Sequence, residues 1–226
     1  MVNHDIYDFY IPKYMELGIG SAPNKNLHNY YLEYVLKKKE VCVLEVGYGT
    51  GLLTIPLLKE KIKVIAIDKS NTSKLFLNKK CQGQFFFDNL QIETIDIIEY
   101  NSHKKFNTII ATDEFLIHFL SSNQLDLFLK KVSQLLNING EFVTDIRNSN
   151  EDEFTKLNCY PIYTLDEELE GVKYIRCTSW NNLSVGNIVL VNYKYEELDS
   201  SGRIINSFIA IPLFIILTEI EILLTD

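Results

Sequence analysis

The segment Glu45-Val46-Gly47-Tyr48-Gly49-Thr50-Gly51 places three glycines at alternate positions, with a carboxylate two residues before the first. Glycines in such a run serve two needs. They let the backbone take dihedrals that side chains resist, and they let a ligand approach the main chain closely. A helical pattern follows, so the free N–H groups of a helix N-terminus point to the same place. Further on, Asp68, Asp96 and Asp113 each fall just beyond an apolar run, and His118 follows Phe115 by three residues. A histidine has an unperturbed pKa near neutrality and suits the removal of a proton from a reacting group, with Asp113 as a second candidate for that task. These residue types point to a ligand held against backbone, with acid–base chemistry beside it.

The elements that must position these residues can be read from periodicity. Leu27–Lys39 carries Tyr30, Tyr31, Tyr34 and Val35 at helical spacing. Residues 41–46 form an apolar run closed by glycine, which reads as a buried parallel strand, and Lys63–Ile67, ending at Asp68, reads as a second. Helices are expected over Leu52–Lys61, with Pro56 near the start, over Ser70–Lys80 and over Gln124–Leu136. Strands are expected over Leu90–Thr94, Asn107–Ala111 and Glu141–Asp145, with Asn139-Gly140 as a turn before the last. This alternation implies an α/β fold with a parallel sheet and helices on both faces. Beyond about residue 150 the pattern changes. Lys173–Ser179, Gly186–Glu196 and Arg203–Ile211 read as antiparallel strands, separated by turn signals at Asn181-Asn182 and Ser200-Ser201-Gly202. Thr218–Thr225 begins a helix with Thr218 as N-cap. The expected organisation is a helical cap over 1–39, a ligand-binding core over 40–150, and an antiparallel β lid with the start of the last core helix over 151–226.

Bulk properties narrow the functional classes. The chain has 226 residues, 46% hydrophobic and 23% charged, which is ordinary for a globular protein. A net charge of −8 argues against nucleic-acid binding through the overall field. Lys37-Lys38-Lys39 is the candidate basic patch, and it reads as a cationic helix C-terminus. Cys42, Cys81, Cys159 and Cys177 show no CxxC or Cys/His metal spacing, so no metal site is expected. Cys42 reads as a small core residue, and free thiols suit the cytoplasm. The N-terminus has no apolar signal-peptide core, and Phe208–Leu217 is too short to span a bilayer.

Dinucleotide binding would want a glycine where Leu52 stands. The Glu45–Gly51 pattern instead resembles motif I of the class I S-adenosylmethionine-dependent methyltransferases, and the resemblance covers residues 40–147. It implies a Rossmann-like core with S-adenosyl-L-methionine as cofactor. Glu45, Gly47, Tyr48, Gly49 and Gly51 would then line the methionine and ribose part. Asp68, seventeen residues after Gly51, would bond the ribose hydroxyls, with Lys69 beside it. Asp96 would contact the adenine amino group, Ile97 would supply a backbone contact and an apolar wall, and Thr112 would lie at the end of the fourth strand. Phe106–Phe115 resembles the fourth-strand motif, although Asn107 stands where the family has an aspartate. Several small-molecule members carry a histidine where His118 falls. The family sheet usually closes with two strands after the last helix, and this sequence ends before them.

The acceptor is read by elimination. Residues 112–115 are Thr-Asp-Glu-Phe and not the N/D-P-P-Y loop of amino methylation, and no Pro-Cys pair of the C5-cytosine type is present. A small molecule or a peptide natural product, methylated at nitrogen or oxygen, is the expected acceptor, in a pocket shaped by Tyr7, Tyr10, Tyr14 and Phe115. No nucleic acid, membrane or metal is expected, and a homodimer is allowed. Two alternatives stay open: a non-catalytic methyltransferase-like subunit binding cofactor or a partner chain, and a nucleotide-dependent oxidoreductase.

Overall fold

Helix α1 (Lys25–Lys38) buries His28, Tyr31 and Val35, which share one face because they are three and four residues apart. Lys37 and Lys38 occupy its last turn, where cations complement the helix dipole. The structure is a computed structural model and describes residues 25–146, 162–169, 171–183, 188–210 and 213–215.

Strands β1 (Cys42–Val46) and β2 (Lys63–Asp68) have interiors buried on both faces, as their continuous apolar runs require. They pair in parallel, with Val43 opposite Val64 and Val46 opposite Ile67. Strand β3 (Leu90–Thr94) lies outside β2, β4 (Phe106–Ala111) pairs with the other side of β1, and β5 (Leu136–Thr144) lies outside β4. The order β3-β2-β1-β4-β5 is wholly parallel and gives the Rossmann-like architecture. The chain crosses from one side of β1 to the other between β3 and β4. Ligands of open parallel sheets settle at the carboxyl ends of the strands beside such a reversal. Gly47, Asp68 and Thr112 lie there, just past or at the ends of β1, β2 and β4.

The connecting helices are α2 (Thr54–Lys59), α3 (Asn71–Cys81) and α4 (Ser122–Leu135). Helix α3 is capped by Ser70, whose hydroxyl accepts the Ser73 N–H at 3.0 Å. Leu57, Leu58 and Leu77 from the helices meet Val43, Val64 and Ala66 from the sheet in one core, together with Tyr31 and Val35. Helix α2 is shorter than expected at both ends. The residues before it belong to the glycine turn, and Lys61 takes a left-handed φ of +64° just beyond it.

Asn139-Gly140 is not a turn ahead of β5 but a bulge within it. Leu136 pairs with Phe106 and Glu141 with Thr108, so the residues between loop out of register, with Asn139 at φ +64°. A side chain at Gly140 would meet the Phe106 carbonyl oxygen at 2.8 Å, which explains the glycine. Cys42 is half-buried rather than a full core residue, with the Lys104 ammonium 2.9 Å from its sulfur.

The chain divides into two compact units, Met1–Phe115 with Asn123–Asp145, and Leu116–Ser122 with Ile146–Asp226. The second contains an antiparallel sheet of β6 (Ile162–Leu169), β7 (Val172–Leu183), β8 (Ile188–Leu198), β9 (Ile204–Ala210) and β10 (Leu213–Ile215). Strand β6 was not expected from the sequence. Asn181 and Asn182 do not turn the chain: they lie inside β7, opposite Leu190 and Val189. The Ser200–Gly202 turn does form. Asp199 accepts hydrogen bonds from the Ser201 N–H and hydroxyl and the Arg203 N–H, and Gly202 takes φ +81°. The bond from the Ser201 hydroxyl holds the Asp199 carboxyl below the usual carboxylate range. The proposed Thr218–Thr225 helix and Tyr7, Tyr10 and Tyr14 lie outside the described residues.

Candidate functional site

The glycine turn after β1 is fixed from two sides. The Gly47 N–H donates to the Ile67 carbonyl at 2.7 Å, tying the turn to β2. A Cβ on Gly47 would lie 2.6 Å from Cδ2 of Phe115, and one on Gly51 would lie 2.5 Å from Cδ1 of Leu77. These two glycines are therefore small because protein packs against them. Gly49 differs: at φ +52° it has no described atom within 4 Å of where a Cβ would sit. Its backbone faces open space, and its N–H donates to Oδ2 of Asp68 at 2.9 Å. The other Asp68 oxygen accepts the Ser70 N–H at 2.9 Å.

Behind the turn, Glu45 is almost fully buried and accepts a hydrogen bond from the Thr54 hydroxyl at 2.7 Å. Burial is the main reason its carboxyl is pushed up to about 8, and the charges of Asp113 and Asp68 push the same way, while Thr54 opposes them. Burial also raises Asp68, against the backbone hydrogen bonds from Ser70 and Gly49. Asp96 accepts the Ile98 N–H at 3.0 Å, and Lys69 Nζ stands 3.5 Å from its second oxygen. Ile97 is buried beside it. The hydroxyls of Tyr48, Thr50 and Thr112 are buried with no hydrogen-bond partner among the described residues. Burial, then the Asp68 and Glu45 charges, drive the Tyr48 phenol upward.

The turn after β4 is built differently. Asp113 and Glu114 both take left-handed backbone, at φ +59° and +60°. His28 Nε2 lies 2.9 Å from Asp113 Oδ2 and donates to it. Asp145, just past β5, accepts the Tyr31 hydroxyl and the Glu114 N–H, each at 2.8 Å. Phe115, expected to shape an acceptor pocket, packs its ring on Gly47 and lies 5.6 Å from the Phe128 ring. The single turn Phe115–His118 follows, and His118 is exposed at its end. Asn107, the departure from the fourth-strand motif, lies at the opposite end of β4, where it donates to Glu40 and accepts from Asn137. His28, Tyr31 and Asp145 were not among the expected site residues. Their only sequence signal was the three-residue spacing of two polar aromatic side chains on an otherwise apolar helix face.

Glu45, Gly47–Gly51, Asp68, Lys69, Asp96, Ile97 and Thr112 thus gather around the carboxyl ends of β1, β2, β3 and β4, within one unit. Residues 43–140 match the family described as a methyltransferase domain. An uncharacterized methyltransferase of Bacillus mycoides is 32% identical over 126 residues, which are 55% of this chain and 56% of that protein. The chain therefore matches just over half the length of that relative. Among solved structures, an S-adenosylmethionine-dependent methyltransferase from Clostridium acetobutylicum aligns with a TM-score of 0.69 at 20% identity, covering 94% of this chain and 82% of its own. An amino pentose methyltransferase from Micromonospora echinaspora, solved with S-adenosylmethionine bound, aligns with a TM-score of 0.71 at 14% identity, covering 93% and 84%. Residues 43–140 are thus similar to a methyltransferase domain, and the fold is that of solved S-adenosylmethionine-dependent methyltransferases.

The residues present fit that cofactor. An open glycine backbone beside a carboxylate suits a ribose, because a carboxylate offers about four acceptor sites, more than the backbone N–H groups of Ser70, Gly49 and Lys69 take up at Asp68. The carboxylates of Asp68 and Asp113, whose charges both reach Glu45, suit a ligand bearing a sulfonium and an ammonium. Among the described residues no group of three His, Cys, Asp or Glu side chains could hold a metal, and no helix is long and apolar enough to cross a membrane.

Proposed function

We propose that the protein transfers a methyl group to a nitrogen or oxygen of a small molecule or a peptide natural product. The observation that carries this reading is Gly49: an open, left-handed glycine whose N–H is tied to the acid at the end of β2. In this reading Asp68 holds the ribose hydroxyls, and Asp96, fixed by the Ile98 N–H and Lys69, meets the adenine amino group beside Ile97. Asp113 supplies negative charge near the methionine end, Glu45 backs the glycine turn through its bond with Thr54, and the unpartnered Thr112 hydroxyl offers a hydrogen bond there. When bound, S-adenosylmethionine supplies an electrophilic methyl carbon. The protein's main task is then to hold the acceptor in line with it, an effect worth up to about 7–11 kcal/mol in ideal cases. The amino pentose methyltransferase among the structural relatives supports a small amine as acceptor.

His118 is proposed as the general base, with Asp113 occupied instead by His28. Tyr7, Tyr10 and Tyr14 are proposed to line the acceptor pocket. With an acceptor in hand, His118→Asn lowers turnover by roughly 10²–10⁴ and leaves cofactor affinity unchanged. Equal turnover would leave proximity as the whole mechanism. The direct test of the reading is a thermal-shift comparison of S-adenosylhomocysteine, NAD and NADP. Stabilisation by the first alone is expected, by the mass-action effect of a ligand that binds only folded protein. Stabilisation by a dinucleotide alone would replace the reading with an oxidoreductase.

A further inference from the structure

We propose that His28 and Tyr31 of helix α1 are positioning residues for cofactor binding: they latch the Asp113–Glu114 turn in the one conformation that seats Phe115 on Gly47. The proposal rests on the reading of the glycine turn as the cofactor site.

The argument begins with the strain. Two consecutive residues with side chains in the left-handed region persist only where their surroundings over-determine them. Here the surroundings include a chain of three hydrogen bonds. His28, 5% exposed, holds Oδ2 of Asp113. Tyr31, 1% exposed and one helical turn later, holds one oxygen of Asp145, whose other oxygen holds the Glu114 N–H. Asp145 is thus a clip between helix and turn, and both α1 contacts come from the same face. The residue after the turn is Phe115. Its ring carbon Cδ2 lies 2.6 Å from where a Cβ of Gly47 would be, so ring and glycine are in direct contact. Gly47 is held from the other side by the Ile67 carbonyl. The turn therefore presses the glycine loop against β2, which sets the distance from Gly49 to Asp68. Releasing the latch lets Asp113 and Glu114 relax toward ordinary dihedrals, swings Phe115 away and frees Gly47. Neither His28 nor Tyr31 has to touch the ligand for this to matter.

The bland alternative is that both side chains merely fill the core beneath the sheet. The two accounts separate on rescue. Titration calorimetry with S-adenosylhomocysteine on the full chain measures affinity, and thermal melting follows stability. His28→Ala is expected to bind about tenfold more weakly. His28→Gln keeps an N–H directed at Asp113 and stays within about threefold of the unmodified protein. Glu114→Gly in the His28→Ala background removes the left-handed strain at one of the two residues and restores affinity to within about threefold. A core-filling role predicts no rescue by Glu114→Gly, because glycine fills nothing. Should His28→Ala fold too poorly to purify, Tyr31→Phe deletes one hydroxyl, keeps the ring, and carries the same expectations. Unchanged affinity in His28→Ala or Tyr31→Phe, or a loss that Glu114→Gly does not repair, overturns the latch while leaving the cofactor reading in place. Failure of the unmodified protein to bind S-adenosylhomocysteine overturns both.

Discussion

Two left-handed turns stand at the carboxyl edge of the parallel sheet, and they use opposite residue types. After β1, Gly47, Gly49 and Gly51 take φ of +74°, +52° and +86°, while after β4 Asp113 and Glu114 take +59° and +60°. The first turn cannot carry side chains at Gly47 and Gly51, because protein fills the space there, while the space at Gly49 is open. The second turn needs its side chain: the Asp113 carboxylate is the handle by which α1 holds it. Backbone conformation alone therefore does not select glycine. What selects it is whether anything must come close.

The strongest way to test the link between the turns is through charge. Glu45 sits behind the glycine turn and feels Asp113 from the acidic one, after the larger effect of its own burial. Its folded pKa of about 8 lies above the ordinary 4.5, so the folded state binds the proton more tightly than the unfolded state does. Stability from this group is complete below the ordinary value and falls as pH rises toward 8, by on the order of 4 kcal/mol if the whole shift is realised. Glu45→Gln keeps an acceptor for Thr54 and removes the titration. Urea denaturation of the cofactor-free protein should show the decline between pH 5 and 8 in the unmodified chain and a flatter profile in the variant. An unchanged slope would show that Glu45 is solvated or paired.

Next in size is the steric half of the comparison. Gly47→Ala meets the Phe115 ring and adopts a strained φ, and the two effects together should lower stability by about 2–4 kcal/mol. Gly49→Ala, with open space around it, should lose only the conformational part, about 1–2 kcal/mol, yet weaken S-adenosylhomocysteine binding more than any other change in the loop. Equal stability losses in the two variants would erase the distinction between a packed and a ligand-facing glycine.

Much of this was legible in the sequence. Mostly apolar stretches mark β1, β2 and β4, because a strand buried on both faces has little room for polar side chains, and Glu45 and Thr108 are the buried exceptions. The glycine turn and Asp68 follow from them, since both lie directly past those runs. What was not legible depends on distance along the chain. Phe115 reads as a pocket residue until the fold brings Gly47 beneath it. Tyr31 reads only as part of a helical pattern, and His28 carries no signal of its own, until Asp113 and Asp145 arrive. Asn181 and Asn182 carry a strong turn signal, and the long β7–β8 pairing overrides it, because β8 stays in register opposite them through Leu183. The bulge at Asn139-Gly140 shows the converse, with local turn chemistry surviving inside a strand.

The separation of the latch partners has a consequence for the order in which the molecule is made. His28 lies 85 residues from Asp113, and Tyr31 lies 114 from Asp145. At about 5–20 residues per second of synthesis, α1 waits roughly 6–23 seconds for its last partner to be made. A helix of 14 residues is marginal on its own, so for most of that time its buried face has only the nascent β1–β2 pair to rest on. The apolar contacts of Val35 and the Tyr31 ring can form once β2 is made, but the His28 bond awaits Asp113 after β4, and the Tyr31 bond awaits Asp145 after β5. The turn that presses on Gly47 is consequently the last part of this edge to be completed on the ribosome, and the first to be lost when α1 frays.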